Sequence, residues 1–285
     1  MKIPKQILWR IGRFGVLLYA GLAVFGWIGS ERMIFQPQSA SYNRDLTGLH
    51  EVKTDDGAPL AIVFLPNQLA LHTIFYFHGN AEDLGDSLPL LKEFQAAGFA
   101  VLAFDYRGYG RSGGRASEAN VYADTRAVLA YARANLGVTP ERLVVVGRSV
   151  GSGPAVELAA HEPVAGLALI SPFMSAFRVL TRVKILPFDR FDNINKIGRI
   201  HAPLLLFHGT ADEVISYHHG QTLFAAANGP KHAVWIEGAR HNDLFDLAGD
   251  RILRELVGWA KALPATAANA PTVEAQRVAV FATVF

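Results

Sequence analysis

The chain has 285 residues, of which 51% are hydrophobic and 18% are charged, and its formal net charge is +2. This length is typical of one large globular domain with short additions, and the composition excludes a largely disordered chain. The small charge excludes a strongly basic surface, so we expect no nucleic-acid partner, and the lack of cysteine excludes a thiolate nucleophile, a cysteine-ligated zinc and any disulfide.

The first thirty residues predict a membrane anchor. Residues 1–13 form a basic segment with four cations, which are Lys2, Lys5, Arg10 and Arg13. Residues 14–30 carry no charge, and this length is within the range of about 17 to 25 residues that cross a bilayer if Arg13 snorkels. Because flanking cations stay on the cytoplasmic side, we expect a single pass, a cytoplasmic N-terminus and the rest of the chain in the periplasm, a lumen or the extracellular space.

A signal peptide and a buried helix are two other interpretations of this segment. A cleavable signal peptide shares the basic start, but its one small-x-small site, residues 21–23, would leave a short apolar core. A buried helix of a soluble domain rarely has four cations on one flank and an aromatic residue such as Trp27 at the other end. We favour the anchor and keep the signal peptide as the alternative.

Residues 31–263 alternate between strand and helix patterns. Two strands flank the turn at Asp56-Gly57, and the next apolar runs, "TIFYFHGN" and "AVLAFDYRG", are separated by a stretch with helical spacing that ends at Gly98. Further strands are predicted at "RLVVVG", "AGLALISP", "PLLLFHG" and "HAVWIEG", with helices between them. This alternation predicts an α/β fold with a mostly parallel central sheet and helices on both faces.

The C-terminal residues 264–285 follow the last predicted helix. They begin with a stretch rich in Pro, Ala and Thr, so we expect a mobile extension that is dispensable for activity.

Ligands of such sheets bind beyond the carboxyl ends of the strands, and four stretches deliver polar groups there. Ser149 follows the run "LVVV", Asp212 follows "LLLFHG", His241 follows "VWIEGA", and residues 78–80 end the first parallel strand. We therefore expect these groups to lie at one edge of the sheet.

Ser149 has the surroundings of a nucleophile on a strand-to-helix turn. Such a turn needs small residues two positions away on either side, because a Cβ there would clash with the folded-back backbone, and Gly147 and Gly151 satisfy this need. The pattern alone is weak, and its place after a β-branched run and before a helix strengthens it.

A serine hydroxyl needs a base and a carboxylate that orients the base. His241, in the polar loop "GARHND", is the best candidate base among the ten histidines. Asp212 is the best orienting acid because it follows a strand end and a Gly-Thr turn. Its rivals are Glu213, Asp192 and Asp243.

The order Ser149, Asp212, His241 is typical of one fold. With this order, the sequence resembles the α/β-hydrolase superfamily and, within it, the membrane-anchored abhydrolases of the BEM46, ABHD13 and ABHD17 types. Seven blocks carry the resemblance, which are "FYFHGNAEDLG", "FDYRGYGRSGG", "VVGRSVGSGPA", "ISPF", "FDNINKI", "HGTADEVI" and "GARHND". The resemblance covers roughly residues 30 to 263.

The resemblance implies a serine hydrolase that acts through an acyl-enzyme, without a cofactor or a metal. Ser149 would be the nucleophile, His241 the general base and then acid, and Asp212 the residue that orients His241. The oxyanion hole would consist of the backbone N–H groups of Val150 and Asn80. The loop "HGN" departs from the lipase-type "HGGG", which leaves the geometry of the Asn80 donor open.

The glycine-rich stretch "FDYRGYGRSGG" lacks the ending of a P-loop and the spacing of a dinucleotide fingerprint. We interpret it as a turn-rich loop beside the site, with Asp105 and Arg107 in local hydrogen bonds.

The cover over the site is predicted to be short. About thirty residues lie between Pro172 and Pro203, which is too few for a cap domain, so we expect a short lid of one or two helices and an open site. An open site near a bilayer favours acyl esters or thioesters on lipids or proteins as substrates. The alternatives are a serine peptidase of the same fold and a non-catalytic, membrane-tethered scaffold.

Overall fold

The protein is described from a computed structural model that covers residues 4–264. The predicted C-terminal extension, residues 264–285, lies outside the described residues apart from Pro264.

One eight-stranded sheet organises the described chain. Its order is β1-β2-β4-β3-β5-β6-β7-β8, and β3 to β8 pair in parallel, whereas β1 and β2 pair antiparallel. The strands are β1 Leu49–Lys53, β2 Pro59–Leu65, β3 Thr73–Phe77, β4 Ala100–Phe104, β5 Leu143–Arg148, β6 Gly166–Ile170, β7 Leu204–Gly209 and β8 Lys231–Ile236. The predicted mostly parallel sheet is confirmed, including the hairpin at Asp56-Gly57.

Helices cover both faces of this sheet. They are α1 Lys5–Ile28, α2 Glu31–Ile34, α3 Leu84–Ala96, α4 Glu118–Asn135, α5 Ser152–His161, α6 Ala176–Thr181, α7 Tyr217–Ala226 and α8 Leu244–Lys261. Side chains of α4, α5 and α7 pack in one core layer, and those of α3 and α8 pack in the other.

The strands form where apolar residues run without interruption, because a parallel strand is buried on both faces. In β3, Phe75 and Phe77 point into the layer that contains α5, whereas Ile74 and Tyr76 point into the layer that contains α3. All four are essentially inaccessible to solvent. The carboxyl ends of the parallel strands are thereby held in one rigid edge.

The N-terminal helix α1 begins earlier than the predicted anchor. It starts at Lys5 and continues to Ile28, so most of the basic segment is part of the same helix. Lysine and arginine are good helix formers, and residues 5–28 contain no proline that would interrupt the helix. Among the described residues, α1 is the one helix long and apolar enough to cross a membrane, with a mean hydropathy of 1.6, and a signal sequence would meet the same criterion.

The lid between β6 and β7 is short, as predicted. It contains one helix, α6, followed by a loop and two single turns of 3₁₀-helix at Asn193–Asn195 and Ile197–Arg199. The structure therefore has the α/β-hydrolase architecture with a lid that leaves room above the sheet edge.

Candidate active site

Ser149 lies on a sharp turn between β5 and α5. Its φ angle is 51°, in the left-handed region that costs a non-glycine residue about 1–3 kcal/mol and is found at functional sites. The turn is tight on both sides: a Cβ on Gly147 would lie 2.6 Å from the Ala155 Cβ, and one on Gly151 would lie 2.3 Å from the Phe77 carbonyl oxygen. The predicted role of both glycines, to permit the turn, therefore has a direct steric cause.

In the structure, consecutive hydrogen bonds connect the three residues predicted for the active site. Ser149 Oγ is 3.1 Å from His241 Nε2, and His241 Nδ1 is 2.8 Å from Asp212 Oδ2. Asp212 follows β7 and His241 follows β8, so the parallel sheet brings together residues that are 92 and 29 positions apart in the sequence. Because the Asp212 carboxylate accepts a hydrogen bond from His241 Nδ1–H, the ring proton stays on Nδ1 and Nε2 is free to accept a proton from Ser149.

Three groups donate hydrogen bonds to the Asp212 carboxylate, and His208 lies beside it. The backbone N–H groups of Val214 and Ile215 donate to Oδ1 over 3.0 and 2.7 Å, and two histidines approach Oδ2. Burial alone would raise the pKa of Asp212, but the neighbouring His208 and His241 rings and the Ile215 N–H together outweigh burial and hold this pKa well below its ordinary value. Asp212 is therefore a stable anion at neutral pH.

The rival acids have other partners. Asp243 accepts the N–H of Arg240 over 2.6 Å at the start of α8. Glu213 accepts the backbone N–H of His241 over 3.3 Å, and Asp192 bonds to the Asn195 side chain. Within residues 4–264 the His241 ring forms its carboxylate hydrogen bond with Asp212 and not with any of these three rivals.

His208 is a residue that sequence reasoning missed. It is fully buried, and its Nε2 donates to the Ile215 carbonyl oxygen over 2.8 Å while lying 3.4 Å from Asp212 Oδ2. His208 is the fifth residue of β7 and precedes Asp212 by four positions in "HGTADEVI". The sequence does contain one indication of its role, because His208 is a polar residue in the otherwise apolar strand β7.

The two predicted oxyanion donors border the same cavity as Ser149 and His241. Val150 is the second residue of the single 3₁₀ turn Ser149–Gly151 that leads into α5, and the first N–H groups of such a turn lack intrahelical partners. The Asn80 side chain is occupied elsewhere: its Oδ1 accepts from the Gln36 N–H and the Tyr109 hydroxyl, and its Nδ2 donates to the Ile34 carbonyl oxygen. Side-chain bonds thus hold the loop, and within residues 4–264 the Asn80 backbone N–H forms no hydrogen bond.

Glu82 and Arg148 form an ion pair beside the nucleophile that the sequence did not reveal. Glu82 Oε2 also accepts the N–H of Gly79 over 3.1 Å, next to the predicted donor Asn80. Burial raises the pKa of Glu82, although Arg148 and the Gly79 N–H oppose this effect. The Arg148 guanidinium lies 4.9 Å from the centre of the Phe245 ring. The pair connects the loop after β3 to the residue that precedes Ser149.

The loop after β4 has the structural role predicted for it. Asp105 accepts from the Leu84 N–H over 2.8 Å and from the Tyr42 hydroxyl, and burial raises the pKa of Asp105 to about 6. Arg107 pairs with Asp124 over 2.7 Å and with Asp56 over 2.6 Å. These bonds hold the loop after β4 in place through residues that are not part of the candidate active site.

His78 also acts as a structural residue. It is buried and stacks on Tyr106 with ring centres 4.1 Å apart, and its Nδ1 donates to the Gly79 carbonyl oxygen over 2.8 Å. Burial lowers the pKa of His78 to about 4, so the ring is neutral.

A cavity of about 720 Å³ extends from Ser149 between the lid and the N-terminal helix. Its walls are mainly aliphatic and aromatic, which is typical of sites for apolar ligands. Among residues 4–264, no group of three or more His, Asp or Glu side chains could hold a metal ion.

The sheet order and the strand-to-helix turn that carries Ser149 define an α/β hydrolase. The family model described as "Serine aminopeptidase, S33" matches residues 70–187. Human alpha/beta hydrolase domain-containing protein 17B is 38% identical over 213 residues, which cover 73% of each chain, and the 17C protein of Xenopus tropicalis is 38% identical over 67% of this chain and 63% of its own. The chain therefore belongs to the alpha/beta hydrolase domain-containing protein 17 family.

Solved structures agree on the fold. An esterase from Pyrococcus furiosus superposes with a TM-score of 0.67 at 18% identity and covers 80% of this chain and 98% of its own. An esterase from Rhodococcus, RhEst1, superposes with a TM-score of 0.63 at 19% identity and covers 76% of this chain and 100% of its own. At these identities the likeness concerns the fold alone.

Proposed function

We propose that the protein is a membrane-anchored serine hydrolase that cleaves carboxylic esters or thioesters of acyl groups through an acyl-enzyme on Ser149. The observation that carries the proposal is the continuous row from Ser149 Oγ through His241 to the Asp212 carboxylate, with contacts of 3.1 and 2.8 Å.

In the first half-reaction, Ser149 Oγ attacks the carbonyl carbon of the substrate while His241 Nε2 takes the hydroxyl proton. The negative charge that develops on the carbonyl oxygen is stabilised by the N–H groups of Val150 and Asn80. His241 then gives its proton to the departing alcohol or thiol, and the acyl group remains on Ser149. Asp212 stays ionised and stabilises the protonated imidazole.

In the second half-reaction, water replaces the leaving group. His241 takes a proton from this water as its oxygen attacks the acyl carbon, and the proton then returns to Ser149 Oγ as the carboxylic acid leaves. The residues used are the same, and the free enzyme is restored.

A serine peptidase remains the second candidate, because the matching family model is described as a serine aminopeptidase. An aminopeptidase needs a carboxylate to bind the ammonium group of its substrate. The two carboxylates that border the cavity, Glu82 and Asp189, are already paired with Arg148 and Arg178. The apolar walls and the paired carboxylates favour an acyl substrate.

The test uses a fluorophosphonate probe on the full chain, together with p-nitrophenyl esters, an acyl thioester and a peptide p-nitroanilide. We expect labelling and ester or thioester turnover in the wild type, and loss of both in Ser149→Ala. Ser152→Ala is a matched control, because Ser152 Oγ donates to the Ser149 carbonyl oxygen rather than to His241. Preferential turnover of the anilide would support the peptidase, and a folded wild type without labelling or turnover would support the scaffold.

The proposed anchor is tested separately. We propose that α1 crosses the bilayer with its basic end in the cytoplasm and that a hydrolase domain of residues 31–263 lies on the other side. We expect the protein to stay in the membrane after carbonate washing and its domain to be protected from protease added on the cytoplasmic side. Release of the intact chain, or cleavage of the domain in sealed cytoplasmic-side-out vesicles, would contradict this arrangement.

A further inference from the structure

The N-terminal helix forms part of the cavity that leads to Ser149. Leu22, Phe25 and Gly26 of α1 border this cavity, and so do Leu180, Ile185 and Leu186 of the lid. Ser149 and His241 lie in the same cavity. The candidate catalytic serine and the candidate membrane helix therefore share one apolar space.

Specific contacts hold α1 against the lid. Gly26 is buried, and a Cβ on it would lie 2.7 Å from the Leu186 side chain. The Trp27 ring packs edge-on against Phe188 with centres 5.3 Å apart. The Arg190 guanidinium donates to the Trp27 carbonyl oxygen over 2.7 Å. The end of α1 is thus docked on the hydrolase domain and forms a fixed wall.

The lid also follows α1 away from the domain. The Tyr19 hydroxyl donates to the Ile185 carbonyl oxygen over 3.2 Å, nine residues before α1 ends at Ile28. The part of α1 from Lys5 to Tyr19 has a length of only about 22 Å at 1.5 Å per residue, whereas the hydrocarbon core of a bilayer is about 30 Å thick. If α1 spans the bilayer, the span must therefore include the part of the helix against which the lid packs. The lid tip, residues 180–185, then lies at the depth of one leaflet.

The lid tip has the composition of a surface in contact with lipid. Leu180 and Val183 are 74% and 63% exposed, and Ile185 is 45% exposed. Arg182 and Lys184 alternate with these apolar residues. Apolar side chains beside long cationic ones suit the boundary between acyl chains and headgroup phosphates, where arginine and lysine snorkel.

We propose that α1 and the lid together form the acyl-binding site, and that an acyl chain of a membrane amphiphile enters this site laterally from the leaflet to reach Ser149. This inference rests on the proposed hydrolase function and adds a role for the anchor: α1 is a wall of the substrate site as well as a tether. Chain-length preference is then determined by the contact between α1 and the lid.

The first test compares Leu22→Trp with Val24→Trp in the full chain reconstituted in lipid nanodiscs. Leu22 borders the cavity, whereas Val24 is an exposed α1 residue outside the cavity lining. We expect Leu22→Trp to lower the ratio of kcat/KM for p-nitrophenyl laurate to that for p-nitrophenyl butyrate by roughly tenfold or more, because the added ring fills space that several methylenes would occupy. Val24→Trp keeps the wild-type ratio. An unchanged ratio in active Leu22→Trp would overturn the proposal.

Binding separates this proposal from the hydrolase proposal. With Ser149→Ala as the background, the fluorescent fatty acid cis-parinaric acid is titrated onto nanodiscs that contain the protein. We expect saturable binding above that of empty nanodiscs, weakened roughly tenfold by Leu22→Trp and unaffected by Val24→Trp. If the Ser149→Ala protein binds the fatty acid but the wild type turns over no ester, the hydrolase function alone is overturned. If the wild type turns over esters, but binding is not saturable and Leu22→Trp leaves the chain-length ratio unchanged, the acyl site alone is overturned.

The depth of the lid is measured with a single fluorophore. Because the chain has no cysteine, Val183→Cys and Lys92→Cys each offer one site for an environment-sensitive label. Lys92 lies exposed on α3 and serves as the control. We expect a phospholipid with a nitroxide in its acyl chain to quench the label at position 183 and to leave the label at position 92 unquenched. Equal quenching at both positions would contradict lateral entry from the leaflet.

Discussion

His208 Nε2 lies 3.4 Å from Asp212 Oδ2, the same carboxylate oxygen that His241 Nδ1 approaches to 2.8 Å. Two histidines thus face one oxygen, while Oδ1 accepts two backbone N–H groups. This arrangement keeps the Asp212 carboxylate ionised and fixes the direction in which it points to His241. His208 is accordingly a positioning residue for Asp212.

Replacing His208 by Gln should lower kcat by roughly tenfold with little change in KM, because Asp212 keeps its two backbone donors and loses only one side-chain contact. Asp212→Asn should cost far more, on the order of 10³ to 10⁴ in kcat, because the amide favours the wrong tautomer of His241. Steady-state kinetics on an ester checks both values. His232→Gln, at an exposed position on β8, is the control. Equal losses in His208→Gln and His232→Gln would contradict the positioning role.

Glu82 should affect turnover through the loop after β3. Glu82→Ala removes the acceptor for the Gly79 N–H and the partner of Arg148, so the adjacent Asn80 donor loses its fixed position. We expect kcat to fall by up to about 10²-fold, which approaches the loss of one oxyanion donor. Glu82→Gln keeps an acceptor for Gly79 and should retain most of the activity. A rise in KM alone, with kcat unchanged, would assign Glu82 to substrate binding instead.

The strand-to-helix turn should not tolerate a methyl group. Gly151→Ala places a Cβ 2.3 Å from the Phe77 carbonyl oxygen, so the backbone must shift, and we expect a loss of about 1–3 kcal/mol in the free energy of unfolding. Gly258→Ala is the matched control on α8, where nothing lies within 4 Å of the added Cβ, and it should stabilise the protein by up to about 1 kcal/mol. Denaturant unfolding of the two variants in detergent measures both changes, and equal effects would contradict the steric account.

The Asp105 carboxyl should make stability depend on pH in an unusual direction. Burial raises the pKa of Asp105 to about 6 in the folded state, above the value of about 3.9 expected when unfolded, so the folded state binds more protons between these values. The stabilisation of the folded state by this proton on Asp105 is fully present below about pH 4 and is lost as pH rises through about 6. Relative to Asp105→Asn, the wild type should lose up to about 3 kcal/mol of unfolding free energy across this window. A difference that stays constant with pH would show that Asp105 is ionised throughout.

The sequence was sufficient to predict the parallel sheet, the strand-to-helix turn and the proximity of Ser149, Asp212 and His241. Each of these depends on local patterns: apolar runs for buried strands, glycines at fixed spacing for the turn, and polar residues directly after strand ends. The parallel register then brings distant residues to one edge.

What the sequence could not predict depends on pairing between distant side chains. Glu82 and Arg148 are 66 positions apart, and neither has a pattern that would indicate an ion pair between them. The absence of charge in residues 14–30 indicates where an anchor could lie but not where its helix begins, since lysine and arginine continue a helix readily and α1 starts at Lys5. The contact between Tyr19 and Ile185 arises only when the lid folds over α1.

The most direct test of the account is the detection of the acyl-enzyme itself. The full chain is mixed rapidly with a p-nitrophenyl ester, quenched in acid, digested and analysed by mass spectrometry. The account predicts an added acyl mass on the peptide that contains Ser149, and its absence in Ser149→Ala. An acyl adduct on another residue, or ester turnover that persists in Ser149→Ala, would contradict it.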